Sequence, residues 1–391
     1  MMKFRSLLAL LAMTAIGSLQ AGTVTATDSG KLNKAIVPKE QSIYHKIWGA
    51  AQLYKNDANP VIEEFNFTGR IQLDYFNVNS SRGDKDFFEI RRFRLGFDSW
   101  WADRHVQFKA TMDTNLRSYN ANEVFYNRLT DIYLNFVIND ALKIRVGKFE
   151  PHFGYDREFS DNLDKFFERS FFDDHVIGGN DYIPGVDISG KIGNWGYLVG
   201  AYSANVNKEF GNFDGGAAYL AEINYDFSKA LGADKALWAL DFMHADGKSK
   251  NTNFMTAYRN AAATYFDYQK GKTGLVAQLG YAEGVTGKGD IFQAMLMPTY
   301  LITDKLELVV RYQLGLSNND NGLATKNRQE KTVGAFTGDT YNAGYVGLNY
   351  YLYGQKLKLM AGMQYSDLKG GTSPNAGYSG WTSLVGLRMY W

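Results

Sequence analysis

From Phe65 to Trp391 the side chains keep a two-residue period, and that period more than any other feature limits what the chain can fold into. Phe65, Phe67, Ile71, Leu73 and Tyr75 alternate with Asn66, Thr68, Arg70, Gln72 and Asp74. Val106, Phe108, Ala110 and Met112 alternate with Gln107, Lys109, Thr111 and Asp113, and Leu306, Leu308, Val310 and Tyr312 with Glu307, Val309, Arg311 and Gln313. Successive side chains of a strand point to opposite faces, so each segment presents one apolar and one polar face.

Sixteen such segments fall near 65–78, 87–100, 105–115, 128–138, 142–150, 184–192, 195–206, 217–227, 236–246, 258–268, 272–282, 290–301, 304–316, 341–353, 356–366 and 380–391. An even number of antiparallel strands, apolar outside and polar inside, is the pattern of an outer-membrane barrel, and sixteen strands leave an aqueous lumen. The expected fold class is therefore all-β, a 16-stranded antiparallel transmembrane β-barrel. Asn139-Asp140-Ala141, Gly193-Asn194, Thr303-Asp304 and Gly354-Gln355 read as tight periplasmic turns. The longer gaps at 79–86, 116–127, 151–183, 207–216, 247–257, 283–289, 317–340 and 367–379 then lie on the outer side. The last strand ends on Met389-Tyr390-Trp391, an aromatic terminus that resembles the assembly signal of such barrels. That strand has to pair with the first, because no open sheet edge is tolerated in lipid.

The domain organisation follows. Lys3 and Arg5, the apolar run Leu7 to Ile16 and the small residues Ser18-Leu19-Gln20-Ala21 read as a signal peptide over 1–21, cleaved after Ala21. Residues 22–64 read as a periplasmic lead-in, with a short amphipathic helix between Gln41 and Tyr54. Residues 65–391 form the barrel. Beyond residue 21 no apolar stretch suits a membrane-spanning helix, and the mean hydropathy is −0.32. Aromatic residues make up 15% of the chain, which suits rings placed at both membrane interfaces. With no cysteine there is no thiolate metal site and no cysteine nucleophile, and a net charge of +1 gives no argument for a nucleic-acid partner. The expected location is the bacterial outer membrane, with lipid around the barrel.

An Arg or Lys on the lipid face near the bilayer centre costs roughly 2–4 kcal/mol, so charges inside strands mark the lumen. Arg70, Arg92, Arg94, Lys109, Lys143, Arg145, Arg311, Lys356 and Lys358 are expected to point inward. In Arg91-Arg92-Phe93-Arg94, Arg92 and Arg94 share the inner wall and Arg91 needs a bulge or a rim position. A row of guanidinium groups can hold small anions through bidentate, charge-assisted hydrogen bonds. Asp74, Glu89, Asp98 and Asp113 lie among the same strands and can neutralise the row. Segment 151–183 has more acidic than basic residues, and folded into the lumen it would set a negative loop against a positive wall.

Val146-Gly147-Lys148-Phe149-Glu150-Pro151-His152-Phe153-Gly154, Glu158-Phe159-Ser160 and Phe166-Phe167-Glu168-Arg169-Ser170 resemble the signature of the phosphate-selective porin O and P family. So do Ile90-Arg91-Arg92-Phe93-Arg94-Leu95-Gly96, Pro184-Gly185-Val186 and Gly347-Leu348-Asn349-Tyr350-Tyr351-Leu352. The resemblance runs through residues 65 to 391 in order. It implies a homotrimer of 16-stranded barrels through which small hydrophilic solutes and anions, phosphate among them, diffuse passively. It also implies a pore-constricting loop after strand 5, with Phe153, Arg157, Glu158, Glu168 and Arg169 as its candidate residues. The candidate anion-binding residues are Arg92, Arg94, Lys109, Lys143, Arg145 and Lys148. Of these only Arg92, Arg94 and Lys148 match motif positions, and Glu150 and His152 stand where the family often has apolar residues or proline. A general porin of little ion preference is the alternative.

Catalysis has little support in the sequence. His45, His105, His152, His175 and His244 are isolated, none in a serine-nucleophile motif or at metal-ligand spacing. Asn318-Asn319-Asp320-Asn321-Gly322 reads as a solvated outer loop rather than a Ca²⁺ site. No metal or cofactor is expected, and a hydrolase or receptor barrel is the remote reading.

Overall fold

The computed structural model describes residues 43–391 except 119–123, 159, 179–180, 208, 212–213, 247–253, 256, 286 and 326. The proposed signal peptide and most of the lead-in lie outside the described residues. Sixteen long antiparallel strands appear in chain order among the described residues: β1 Ile62–Ser80, β2 Gly83–Trp101, β3 Val106–Thr114, β4 Tyr126–Asn139, β5 Leu142–Phe149, β6 Ile183–Ile192, β7 Trp195–Ser203 and β8 Ala217–Asp226. They continue with β9 Lys235–Ala245, β10 Tyr258–Lys270, β11 Thr273–Gly284, β12 Ile291–Thr303, β13 Leu306–Ser317, β14 Thr340–Tyr353, β15 Leu357–Lys369 and β16 Tyr378–Tyr390. Each pairs with its neighbours in sequence, and β16 returns to β1 in the register Gly380↔Ser80 to Tyr390↔Arg70. The ring is closed, so no edge of its ladder is left unpaired in lipid.

Alternation decides which residues meet lipid. Val146, Val199, Phe242, Leu296, Val346 and Val385 are exposed on the outside, while the residues between them turn to the lumen. Aromatic rings gather at both ends of this band. Trp195 and Tyr225 lie 4.7 Å apart edge to face near the short turns, and Tyr365 and Trp381 lie 5.0 Å apart near the other rim. Rings in these places sit at the membrane interfaces. The short connections Asp140-Ala141, Gly193-Asn194, Gly271-Lys272 and Asp304-Lys305 fall at the end where β1 begins and β16 stops. Gly193 and Gly271 sit at φ 61° and 56°, the left-handed conformation that these two-residue turns need.

One long gap was misplaced by the sequence pattern. The expected outer loop 79–86 is a two-residue turn, Ser81-Arg82, because β1 and β2 extend to Ser80 and from Gly83. Their outer ends, Asn77–Ser80 and Gly83–Asp86, are largely polar on both faces, so the alternation fades although the ladder continues.

The helix expected between Gln41 and Tyr54 is α1, Ile43–Gly49. It rests at the short-turn end, where the Trp48 indole donates to Tyr390 O at 2.6 Å and Tyr44 stacks on Tyr353 at 5.5 Å. Gln52–Lys55 then pairs with Glu64–Asn66, at the start of β1.

Candidate functional site

The lumen wall is built by register. Arg70 of β1 stands opposite Arg94 of β2, and Gln72 opposite Arg92. The next partner, Leu73, is opposite Ile90, so Arg91 is the extra residue of a β-bulge. The bulge lets Arg91 reach the lumen along with Arg92 and Arg94. Arg94 is in register with Asp113, and Asp113 with Arg128 of β4. Arg145 of β5 faces Asp187 of β6. Five consecutive strands thus carry Arg70, Arg92, Arg94, Lys109, Arg128 and Arg145 on one side of the barrel.

The described residues of 150–182, between β5 and β6, fold into the lumen and are held across it. Gly154 N donates to Asp241 Oδ2 at 2.6 Å, Tyr155 N to Gln278 Oε1 at 2.8 Å and Phe171 N to Gln313 Oε1 at 2.7 Å. Lys165 Nζ pairs with Glu307 Oε1 at 2.6 Å, and Arg311 donates to Glu168 O at 2.9 Å. These contacts lie on β9, β11 and β13, opposite the basic wall. A short helix in the loop, α2 Phe171–Val176, is capped by Ser170 and packs rings against strand glycines. A Cβ at Gly315 would lie 2.3 Å from Phe171 Cε1, and one at Gly280 2.7 Å from Phe172. A second segment from the outer side, 318–339, enters the mouth and grips the first. Ala324 N donates to His175 Nε2 at 3.1 Å, and Arg328 Nε to Glu168 Oε1 at 3.1 Å.

The wall cations meet carboxylates from the loop or from neighbouring strands. Arg92 Nη2 lies 3.1 Å from Asp161 and Arg94 Nε 3.6 Å from Asp113, with Arg94 also donating to Tyr182 Oη at 2.6 Å. Lys109 Nζ is 3.3 Å from Asp131, and Arg145 makes a two-pronged pair with Asp187, the shorter arm 2.5 Å. The acids of the basic strands do the same: Asp74 pairs with Arg388 and Glu89 with Arg328. Lys143 is half-buried on the same face as Arg145.

Lys148 does not join this row. It stands opposite Ile132 and is two residues from the lipid-exposed Val146, which puts it on the outer face. There it is fully buried, donating to the carbonyls of Asn207 and Glu209 at 2.6 and 2.5 Å. Counting from Arg145 shows the reason: three residues along a period of two reverses the face.

The loop candidates lie in this inserted segment, most of them paired within it or to the wall. Phe153 is buried against Phe172, with ring centroids 6.1 Å apart. Arg157 is fully buried, bonded to Glu150, to Asp173 and to Gly178 O. These two brace the loop from within. Arg169 pairs with Glu150 at 2.5 Å and Asp181 at 3.1 Å, and Glu168 with Arg91 at 3.1 Å. Glu158 stands near Glu222 and Asp267, and burial with the repulsion of Glu222 pushes its carboxyl up to about 8. Burial would raise Asp161 too, but Arg92, Arg70 and Arg169 hold it well below the usual carboxylate range.

Sequence reading missed Asp161, Arg128, Arg388 and Arg328. Arg128 and Arg388 were accessible to it, since each lies inside a strand and a strand cation belongs in the lumen. Asp161 and Arg328 come from loops and leave no periodic signal.

Comparison with known proteins agrees with this architecture. Residues 65–270 match the family model described as phosphate-selective porin O and P. No protein of curated function is matched by the sequence. Among solved structures, the outer membrane channel DcaP of Acinetobacter baumannii superposes with a TM-score of 0.56 at 13% identity, over 86% of this chain and 99% of that one. OprB of Pseudomonas putida gives 0.60 at 13% identity, over 84% and 94%. An anion-selective porin from Comamonas acidovorans gives 0.59 at 11% identity, over 84% and 99%. At such identities these likenesses speak for the fold alone. The family model spans more than half of the chain, and together with the closed 16-stranded barrel it makes this protein a member of the phosphate-selective porin O and P family, an outer-membrane channel.

Proposed function

We propose that the channel lets small hydrophilic solutes diffuse passively and favours anions, phosphate among them. The observation that carries this is the row Arg70, Arg92, Arg94, Lys109, Arg128 and Arg145 on five consecutive strands, with Arg91 brought in by a bulge. Weak binding at successive guanidinium groups would let an anion enter and move on. Arg92, Arg94, Lys109, Lys143 and Arg145 remain the residues proposed to touch solute, while Phe153, Arg157, Glu168 and Arg169 shape the loop that narrows the path. A channel of little ion preference is favoured by one specific observation: Arg92, Arg94, Lys109 and Arg145 each lie within 4 Å of a carboxylate.

Reversal potential in planar bilayers across a KCl gradient separates the two. The anion reading expects a potential displaced toward the chloride value, and Arg92→Ala with Arg94→Ala should bring it toward zero. A near-zero or cation-selective wild type would sink it. The channel should conduct steadily without turning over a substrate. Two further inferences belong to the same reading of an exported porin: cleavage after Ala21, which N-terminal sequencing of the mature protein would check, and assembly as a homotrimer, which native mass spectrometry in detergent would check.

A further inference from the structure

The basic wall has a resident anion. Asp161, near the middle of the inserted loop and 4% exposed in its side chain, places Oδ2 at 3.3 Å from Arg70 Nη1 and 3.1 Å from Arg92 Nη2, and Oδ1 at 3.6 Å from Arg169 Nη2. Arg94 stands across the ladder from Arg70. Four guanidinium groups therefore converge on or beside one carboxylate.

That carboxylate does not satisfy them. Two oxygens offer about four acceptor sites, and each guanidinium carries five donors. Among the described residues, Arg70 Nη1 and Arg94 Nε are buried and complete no hydrogen bond, their carboxylates standing off at 3.3 and 3.6 Å. Arg70 has no other ion pair among the described residues, so its charge depends on Asp161. Buried donors held off line from their acceptors are costly, and a ligand with more acceptor atoms than a carboxylate would relieve that cost. Open space reaches two of these arginines. A cavity of about 520 Å³ opens toward the short-turn end and is lined by Arg70, Arg94, Lys109 and Asn162, the residue after Asp161.

We propose that Asp161 is a tethered surrogate for the anion at Arg70, Arg92 and Arg94, which a solute with several acceptor atoms, such as a phosphate-like dianion, must displace. This rests on the anion reading above and adds to it the site and its competitor. The fraction of channels with Asp161 unseated sets the apparent affinity, because a competent state that is seldom populated weakens binding by that fraction. Displacing Asp161 also removes the loop's tie to Arg70 and Arg92, leaving Glu168 on Arg91, so binding at the wall is coupled to the position of the constriction.

The test is block of chloride current by inorganic phosphate in planar bilayers, at fixed pH and ionic strength, with the reversal potential recorded on the same channels. Asp161→Asn removes the competing charge at nearly constant shape and should lower the half-blocking phosphate concentration about tenfold. Asp161→Glu keeps the competitor and should stay near wild type. Adding Arg70→Gln to Asp161→Asn should cancel the gain. An Asp161→Asn channel that conducts but needs as much phosphate as wild type, or more, overturns the inference. If that occurs while wild type remains anion-selective, only the surrogate role falls; a cation-selective wild type removes the anion reading and this site with it. Should Asp161→Asn fail to assemble, Arg70→Gln alone decides, with the half-blocking concentration expected to rise about threefold and an unchanged value overturning the site.

Discussion

Arg91 Nη2 stands 3.1 Å from Glu168 Oε2, an ion pair between a strand bulge and the inserted loop across 77 residues of sequence. Without the extra residue opposite Gln72 and Leu73, Arg91 would share the outward face with Phe93. Glu168 also takes Arg328 and Gln329 from the segment 318–339, so one carboxylate ties the wall and two loops together. Burial alone would raise that carboxyl, but Arg91 and Arg328 hold it well below its ordinary range. Arg91→Ala should weaken the loop's seat by roughly 1.5–3 kcal/mol, the worth of a hydrogen bond to a charged group. Single-channel recording should show larger and noisier open currents. Records as quiet as wild type would mean that the other loop contacts suffice.

Glu158 predicts a pH dependence of opposite sign to the usual acid effect. Its carboxyl is raised from an ordinary 4.5 to about 8 by burial, with Glu222 adding to it. A group raised on folding favours the protonated, seated state below the ordinary value, and that contribution is lost as pH climbs through the folded value. The loop should therefore loosen between pH 4.5 and about 8, seen as conductance that rises with pH. Glu158→Gln cannot ionise and should flatten the rise. A wild-type conductance constant over this window would refute the assignment.

Gly315 and Gly280 predict where the loop can be dislodged without harming the barrel. The rings of Phe171 and Phe172 occupy the places a side chain would need. Gly315→Val should push Phe171 and α2 away from β13, raising conductance while the protein keeps the heat-modifiable mobility of a folded barrel on gels. Unchanged conductance would show that α2 does not narrow the path.

Lys148 separates structure from selectivity. Facing outward beneath Asn207 and Glu209, it should contribute to stability and not to ion choice. Lys148→Ala is expected to cost roughly 1–3 kcal/mol, measured by thermal or denaturant unfolding, and to leave the reversal potential where wild type has it. A shift as large as that of Arg92→Ala would place Lys148 in the conduction path.

The barrel was legible in the sequence because strand alternation is a local pattern. Lipid requires apolar residues on the outer face at every second position, and the requirement repeats in all sixteen strands, whose positions the pattern located within a few residues. Local rules also flagged a bulge or a rim position at Arg91, since three arginines in four residues cannot all face inward on a regular strand, and the structure has the bulge. They failed where the period gave no information. The polar outer ends of β1 and β2 hid a tight turn, and family resemblance carried Lys148 to the wrong face although the parity from Arg145 forbade it.

The sequence by itself determined a closed barrel with a charged lumen, because burial in lipid is decided residue by residue. Only the tertiary structure decided which charges remain available inside it. The meeting of Asp161 with Arg70 and Arg92, or of Arg328 with Glu89 across 239 residues, depends on how two long loops fold back into the lumen. Such contacts are chosen by shape and by the cost of buried unpaired charge, summed over the whole interior.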